Sequence, residues 1–352
     1  MSIIMTIPPK LPEVPPLDGE AQQRALSRQH ELLKPSGALG KLEIISTQIA
    51  GMTGRLDWLP HTPVVVVSAG DHGIAEHSVS AYPRNVTKQM VLTFLEGNAA
   101  INVLARQVGA EVVVVDAGVA GILPEHDRLI AGKINYGTAD FSTSPAMSLG
   151  HVDKAVQLGL QVADHLIDNG ANVIVAGEMG IGNTTAATAL IAALTNTDPE
   201  RITGRGTGIT PEQLENKIAL IRKALALHAP VHVDPLAKFG GYEIATMVGL
   251  MIGSAARRVP VVLDGLITAS AALVAAKLVP RALNYFIAGH VGVEPGHSHA
   301  LQALGLTPVL SLSMRLGEGS GGVLALPIIE AAMRTLQEMS TFGEAGVNGP
   351  GA

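Results

Sequence analysis

Five short β-branched runs, each followed by a segment of helical length, limit what this chain can become more than any other feature. They read "VVVVSA" (64–69), "EVVVVDA" (111–117), "NVIVAG" (172–177), "PVVLDG" (260–265) and "NYFIAG" (284–289), with helical stretches at 86–107, 152–168, 184–194, 212–227 and 266–277. A strand followed by a helix returns the chain to the same end of the sheet, so successive strands run parallel. Parallel strands are covered on both faces and therefore read as unbroken apolar runs rather than as alternating ones. The expected fold class is α/β: a mostly parallel, Rossmann-like sheet flanked by helices. Composition agrees, since 47% of residues are apolar but only 3% aromatic, leaving Ala, Val, Leu and Ile to build the core.

Outside that alternation, "IPPKLPEVPPLDGE" (7–20) is proline-rich and reads as an extended lead-in. Residues 20–34 and 40–55 read as helices joined by "KPSGALG", and an amphipathic helix at about 321–339 is expected to pack back on them. This implies a small helical domain formed from both chain ends (1–60 and 320–352) beside an α/β domain over 61–319 that carries the site.

Several classes fall away. The net charge is −6 with no Lys/Arg block, which argues against nucleic acid. With no cysteine, disulfides, thiolate metal sites and a cysteine nucleophile are excluded. "IATMVGLMIGSAA" (244–256) and "GLITASAALVAA" (265–276) are shorter than the ~20 residues a spanning helix needs. No signal-peptide layout opens the chain. A soluble, cytoplasmic protein with no membrane partner is expected.

The loops after the strands carry the chemistry: "SAGDHGIAEHSVSAYP", "DAGVAG", "GEMGIGNTT", "DGLITAS" and "GHVGVEPGHSH". In open α/β sheets, ligands bind beyond the carboxyl ends of the strands. In "GEMGIGNTTAATAL" (177–190), Gly180 and Gly182 permit close backbone approach, and the helix-start amides with the Thr184 and Thr185 hydroxyls suit a phosphate. The bland alternative is a tight turn. Thr185 stands where a dinucleotide fingerprint wants its last glycine, which disfavours an NAD-dependent oxidoreductase. "TGRGTGIT" (203–210) offers Arg205, and the next helix Lys217, as phosphate counter-charges. "SVSAYPRNVTKQM" (78–90) places Ser80, Tyr82 and Gln89 around a proline turn, suited to a flat, mostly apolar ligand, or to capping by Asn85 or Thr87. "LSMRLG", with Met314 and Leu316, suggests a wall of the same slot. Asp71, His72, His77, His290, His297 and His299 are possible metal ligands, but no ligand spacing joins them, so no metal is expected.

Glu318, in "MRLGEGSGGVLAL" (314–326), is a lone carboxylate among glycines. It reads either as a cap for the helix that follows or as a general base whose pKa an apolar setting raises. Local sequence leaves both open.

Together, "KPSGALGKLE", "AGDHGIAEHSVSAYP", "GEMGIGNTT", "GHVGVEPGHSHAL" and "MRLGEGSGG" resemble nicotinate-nucleotide–dimethylbenzimidazole phosphoribosyltransferases over about residues 20–340. The resemblance implies transfer of phosphoribose from nicotinate mononucleotide to 5,6-dimethylbenzimidazole by a homodimer without a cofactor. It makes Glu318 the catalytic base. It places Glu178, Lys217 and the "GIGNTT" loop, Asn183 included, at the nucleotide, and Ser80 and Gln89 at the benzimidazole. Under this chemistry the pyridinium leaves as a neutral base and no pyrophosphate is released, so one carboxylate facing the acceptor's N–H suffices. Rival readings are transfer to another azole and a nucleotide-binding sensor without turnover.

Overall fold

The computed structural model describes residues 3–6 and 10–349. Six strands form one parallel sheet in the order β3-β2-β1-β4-β5-β6. They are β1 (Pro63–Gly70), β2 (Glu111–Gly118), β3 (Leu129–Ala131), β4 (Val173–Met179), β5 (Val261–Leu263) and β6 (Phe286–Ala288). The five β-branched runs become β1, β2, β4, β5 and β6. β3, three residues at the edge, was not expected, nor was a separate pair of two-residue strands, β7 (His290–Val291) and β8 (Leu310–Ser311).

The strands separate their side chains between two layers, as a period of two demands. Val64 and Val66 of β1, Val113 and Val115 of β2 and Ile174 of β4 pack with Val162, Leu166 and Leu250. Val65, Val67 and Ala69, with Val112, Val114, Val173 and Val175, face the larger core on the other side. Burial on both faces explains the unbroken valine runs. The apolar stretch at 244–256 proves to be a core helix, Tyr242–Ala256, every residue of which is buried except its last. It lies backbone to backbone on Leu149–Asp168. A Cβ on Gly159 would sit 1.9 Å from the Thr246 carbonyl oxygen, and one on Gly249 2.0 Å from that of Val156. Among the described residues no helix is long and apolar enough to cross a membrane.

The helical stretch at 86–107 is two helices, Val86–Glu96 and Ala100–Gln107, broken at Gly97 with φ +81°. The Asn102 side chain secures the restart by accepting the Ala99 N–H (3.2 Å) and donating to the Phe94 carbonyl (3.1 Å). The terminal helices Gly19–Glu31, Lys41–Thr53 and Ser320–Glu338 pack together, and the Arg28 guanidinium donates to the carbonyls of Leu336, Gln337 and Met339. Ser320–Glu338 also lies against β4, β5 and Ala100–Gln107, and its buried residues share one core with the sheet. In the proline-rich lead-in, residues 10–18 have no regular secondary structure, and Tyr285 Oη donates to the Pro15 carbonyl (3.2 Å); residues 7–9 lie outside the described residues.

Candidate active site

Strand order reverses at the boundary between β1 and β4, and a cavity of about 360 Å³ opens beyond the carboxyl ends of β4, β5 and β6. Glu178, Met179 and Gly180 contribute from β4 and its turn, Gly265 and Leu266 from the β5 end, and His290 and Gly292 from the β6 side. Met314 to Glu318 form one wall, and Tyr82, Val86 and Met90 another.

Glu318 lines this cavity, is 6% exposed, and has φ +66° between Gly317 at +87° and Gly319 at +90°. Three successive left-handed residues make a tight crook that glycine tolerates and glutamate does not favour. The backbone of the crook lies against β4, since a Cβ on Gly177 would meet the Glu318 carbonyl oxygen at 2.6 Å. Asp264, at the end of β5, holds the crook: it accepts the N–H groups of Gly319 (3.1 Å), Gly321 (2.7 Å) and Gly322 (3.0 Å). These are the orphan donors that open the helix Ser320–Glu338. Asp264 therefore caps that helix, and Glu318 does not. The Glu318 carboxylate takes a hydrogen bond from the Ile101 backbone, and Oε2 is buried without a partner. Burial pushes its pKa up to about 7, with the Asp264 charge adding to the rise and the Ile101 N–H opposing it.

Glu178 approaches the same crook, as a Cβ on Gly317 would lie 2.4 Å from its Oε1. The Asn183 amide donates to Glu178 Oε2. Burial raises the Glu178 pKa to about 8, against the Asn183 hydrogen bond and helped by the charges of Asp264, Glu243 and Glu318. Behind it, fully buried Glu243 pairs with His72 at 2.6 Å.

The helix Asn183–Thr195 begins at Gly182 with no side-chain cap; the Asn183 and Thr185 N–H groups donate to the Gly180 (3.1 Å) and Gly182 (3.0 Å) carbonyls, which leaves Thr184, backbone and hydroxyl, as the group of this turn best placed for an anion. Asn183 and Thr184 line the cavity. Lys217 does not; 1% exposed, it donates to Thr184 Oγ1 (2.9 Å) and reaches the Gly204 carbonyl (3.4 Å). Burial lowers its pKa to about 8, with Glu294 acting the other way. Gly182 turns against Ala75, and the Thr185 hydroxyl is buried without a partner; neither lines the cavity. Arg205 is engaged by its own turn, donating to the Ile209 carbonyl (2.7 Å), while Arg315 lines the cavity and donates to the Gly206 carbonyl (3.0 Å).

Of the residues expected at a flat ligand, Tyr82, Met314 and Leu316 line the cavity, and Tyr82 and Leu316 are more than half exposed. Gln89 does not line it and is exposed. Val86 and Met90, one turn apart on the helix Val86–Glu96, join Tyr82 from the preceding loop in this wall. The Ser80 hydroxyl is 3.1 Å from Thr207 Oγ1, and it is Thr207 that lines the cavity.

Each loop histidine has its own neighbour. His77 pairs with Asp140 (2.7 Å), His299 with Thr195 and Thr197, and His290 with Asp264 (3.3 Å). Among the described residues no three His, Asp or Glu side chains converge as a metal site. Asp264, Glu294, Arg315 and Thr207 carry no site role in the sequence reading, and His297 only that of a possible metal ligand. "LDGL", an aspartate ending a strand ahead of glycine, was the available signal for Asp264.

A phosphoribosyltransferase family model matches residues 14–347. The chain is 53% identical over 336 residues to a nicotinate-nucleotide–dimethylbenzimidazole phosphoribosyltransferase of Chloroflexus aggregans, covering 95% of each. It is 46% identical to the enzyme of that name from Halalkalibacterium halodurans, over 95% of this chain and 94% of the other. A crystal structure of the same-named enzyme from Thermus thermophilus superposes with a TM-score of 0.89 at 42% identity, over 95% of this chain and all of that one.

Proposed function

The chain belongs to the nicotinate-nucleotide–dimethylbenzimidazole phosphoribosyltransferase family, and from that membership we propose how its own residues carry out the transfer. The reaction moves phosphoribose from nicotinate mononucleotide to 5,6-dimethylbenzimidazole, giving α-ribazole 5′-phosphate and nicotinate, the lower-ligand step of cobalamin biosynthesis.

One ring nitrogen of the benzimidazole gives its lone pair to the anomeric carbon while the bond from that carbon to the pyridinium nitrogen breaks. Its electron pair leaves with nicotinate, and attack from the opposite face inverts β to α. The second ring nitrogen must then lose its proton. Glu318 accepts it. Glu178 is the rival carboxylate, but the Asn183 amide already engages its Oε2, whereas Glu318 Oε2 has no partner; burial raises the pKa of both. A base titrating near the working pH combines availability with driving force. The observation that carries this reading is the unpartnered, buried Glu318 Oε2 at the cavity wall, released from helix capping by Asp264.

The donor phosphate is assigned to the uncapped start of Asn183–Thr195, with Thr184 in contact and Lys217 supporting Thr184 from behind. Tyr82, Val86, Met90, Met314 and Leu316 are assigned to the acceptor ring. These walls are apolar and hold few directional contacts, so other azoles should compete, because each methyl is worth only ~1–3 kcal/mol. Family membership also supports a homodimer in the cytoplasm, the former checked by light scattering. Incubation with both substrates in the presence of chelator tests the reading: nicotinate release is expected, and its absence would overturn it.

A further inference from the structure

Besides Glu318 Oε2, three buried side-chain atoms of cavity-lining residues have no partner, Glu294 Oε2, His297 Nε2 and His290 Nδ1, and the transfer described above leaves them unused. Glu294 precedes the helix Pro295–Leu304 but does not cap it with its side chain. Its Oε1 accepts the Gly206 N–H (2.9 Å), and Oε2 is buried and unpartnered. His297, one turn on, is 1% exposed. Its Nδ1 accepts the Gly292 N–H (3.0 Å), which leaves the proton of the neutral ring on Nε2, buried and equally unpartnered. Burial and the neighbouring His290 push the His297 pKa down to about 4, keeping the ring neutral. Glu294 and His297 thus offer one free acceptor and one free N–H donor, and a buried group left unsatisfied is costly unless a ligand completes it.

Their place between the two ends of the site identifies the ligand group. Glu294 adjoins the phosphate end: a Cβ on Gly206, whose N–H it binds, would lie 3.2 Å from Thr184 Oγ1 and 3.6 Å from Lys217 Nζ. His297 adjoins the reacting end: its ring centroid is 5.5 Å from that of His290, which contacts Asp264 and packs on Gly321 in the first turn of Ser320–Glu338, just after Glu318. In a nucleotide, the group between the phosphate and the reacting anomeric carbon is the sugar. We propose that Glu294 and His297 recognise the ribose 2′,3′-diol of the donor, one hydroxyl donating to Glu294 Oε2 and the other accepting from His297 Nε2–H. The inference rests on the phosphoribosyl reading and adds to it a selection for ribo- over deoxyribonucleotides.

The test is calorimetric binding of nicotinate mononucleotide and its 2′-deoxy and 3′-deoxy analogues, without acceptor, to wild type, Glu294→Gln, Glu294→Ala and His297→Leu. Thermal melts select the variants that keep the fold. Wild type should bind each deoxy donor roughly 10–100-fold more weakly than the ribo donor. Each variant should collapse the discrimination against one deoxy donor to about twofold and keep the other. A merely structural role would weaken all three ligands equally, and that result, or undiminished discrimination in every folded variant, overturns the diol assignment. Nicotinate release by wild type from the ribo donor and dimethylbenzimidazole separates the two failures. With release intact, only the diol assignment falls; without it, both fall.

Discussion

Asp264 accepts the backbone N–H of Gly321 at 2.7 Å, and through that contact a carboxylate just past β5 does the capping that Glu318 would otherwise do. The sequence leaves Glu318 between cap and base. Asp264 removes the first role and bends the chain so that Glu318 lines the cavity. Asp264→Ala should therefore cost about 1–2 kcal/mol in a denaturant titration, as loss of an N-cap does. It should also lower kcat, because the crook loses its anchor. Asp264→Asn, which still accepts, should lose less of both.

The left-handed backbone at Glu318 makes a separate prediction about stability. Glutamine keeps the strained φ and glycine relieves it. Glu318→Gly should be about 1 kcal/mol more stable than Glu318→Gln by urea midpoint, although both lack the base. Equal stability would mean that the crook stores no strain at this position.

Glu178 should make stability fall with rising pH. Its native pKa of about 8 lies above the ordinary 4.5. Between those values the unfolded chain has released a proton that the native carboxyl keeps, so native stability declines through that window and is fully lost as a contribution above it. Glu178→Gln, neutral throughout, should exceed wild type by roughly 1–3 kcal/mol above about pH 8 and match it near pH 4. Urea titrations at both ends check the sign.

Lys217 and Thr184 act as one unit through their 2.9 Å hydrogen bond. Lys217→Met and Thr184→Val should each weaken donor binding roughly 10-fold while leaving acceptor binding unchanged, and the double variant should fall well short of the product of the two. Titration calorimetry with each ligand measures this. Additive losses would mean that Lys217 reaches the phosphate independently of Thr184.

The fold was legible wherever a local pattern carried it. Strands buried on both faces announce themselves as "VVVVSA" and "EVVVVDA" because neither face meets water. β3 escaped because three edge residues make no pattern, and 244–256 reads in the sequence only as an apolar run too short to span a bilayer, its burial on all sides leaving no amphipathic period to mark it as the helix Tyr242–Ala256. The break at Gly97 was marked by a Gly-Asn pair inside an otherwise helical run. At the cavity, Thr184 stood out in a glycine-rich strand-end loop and Glu318 as a lone carboxylate among glycines, while Glu178 was placed by the family resemblance. Gln89, singled out with the proline turn and placed at the acceptor by the family resemblance, is exposed and off the cavity lining, to which Val86 and Met90 contribute. Asp264, Glu294 and His297 needed tertiary information, since their partners Gly321, Gly206 and Gly292 lie on other segments or display only backbone amides.

Release of nicotinate in a single turnover, followed across pH for wild type and Glu318→Gln, bears most directly on whether a carboxylate takes the acceptor's proton. Wild-type rate should rise with an apparent pKa near 7. The variant should bind the donor normally yet turn over ~10²–10⁴-fold more slowly, with that rise gone. A Glu318→Gln enzyme that works within a few-fold of wild type and keeps the same pH profile would contradict the account.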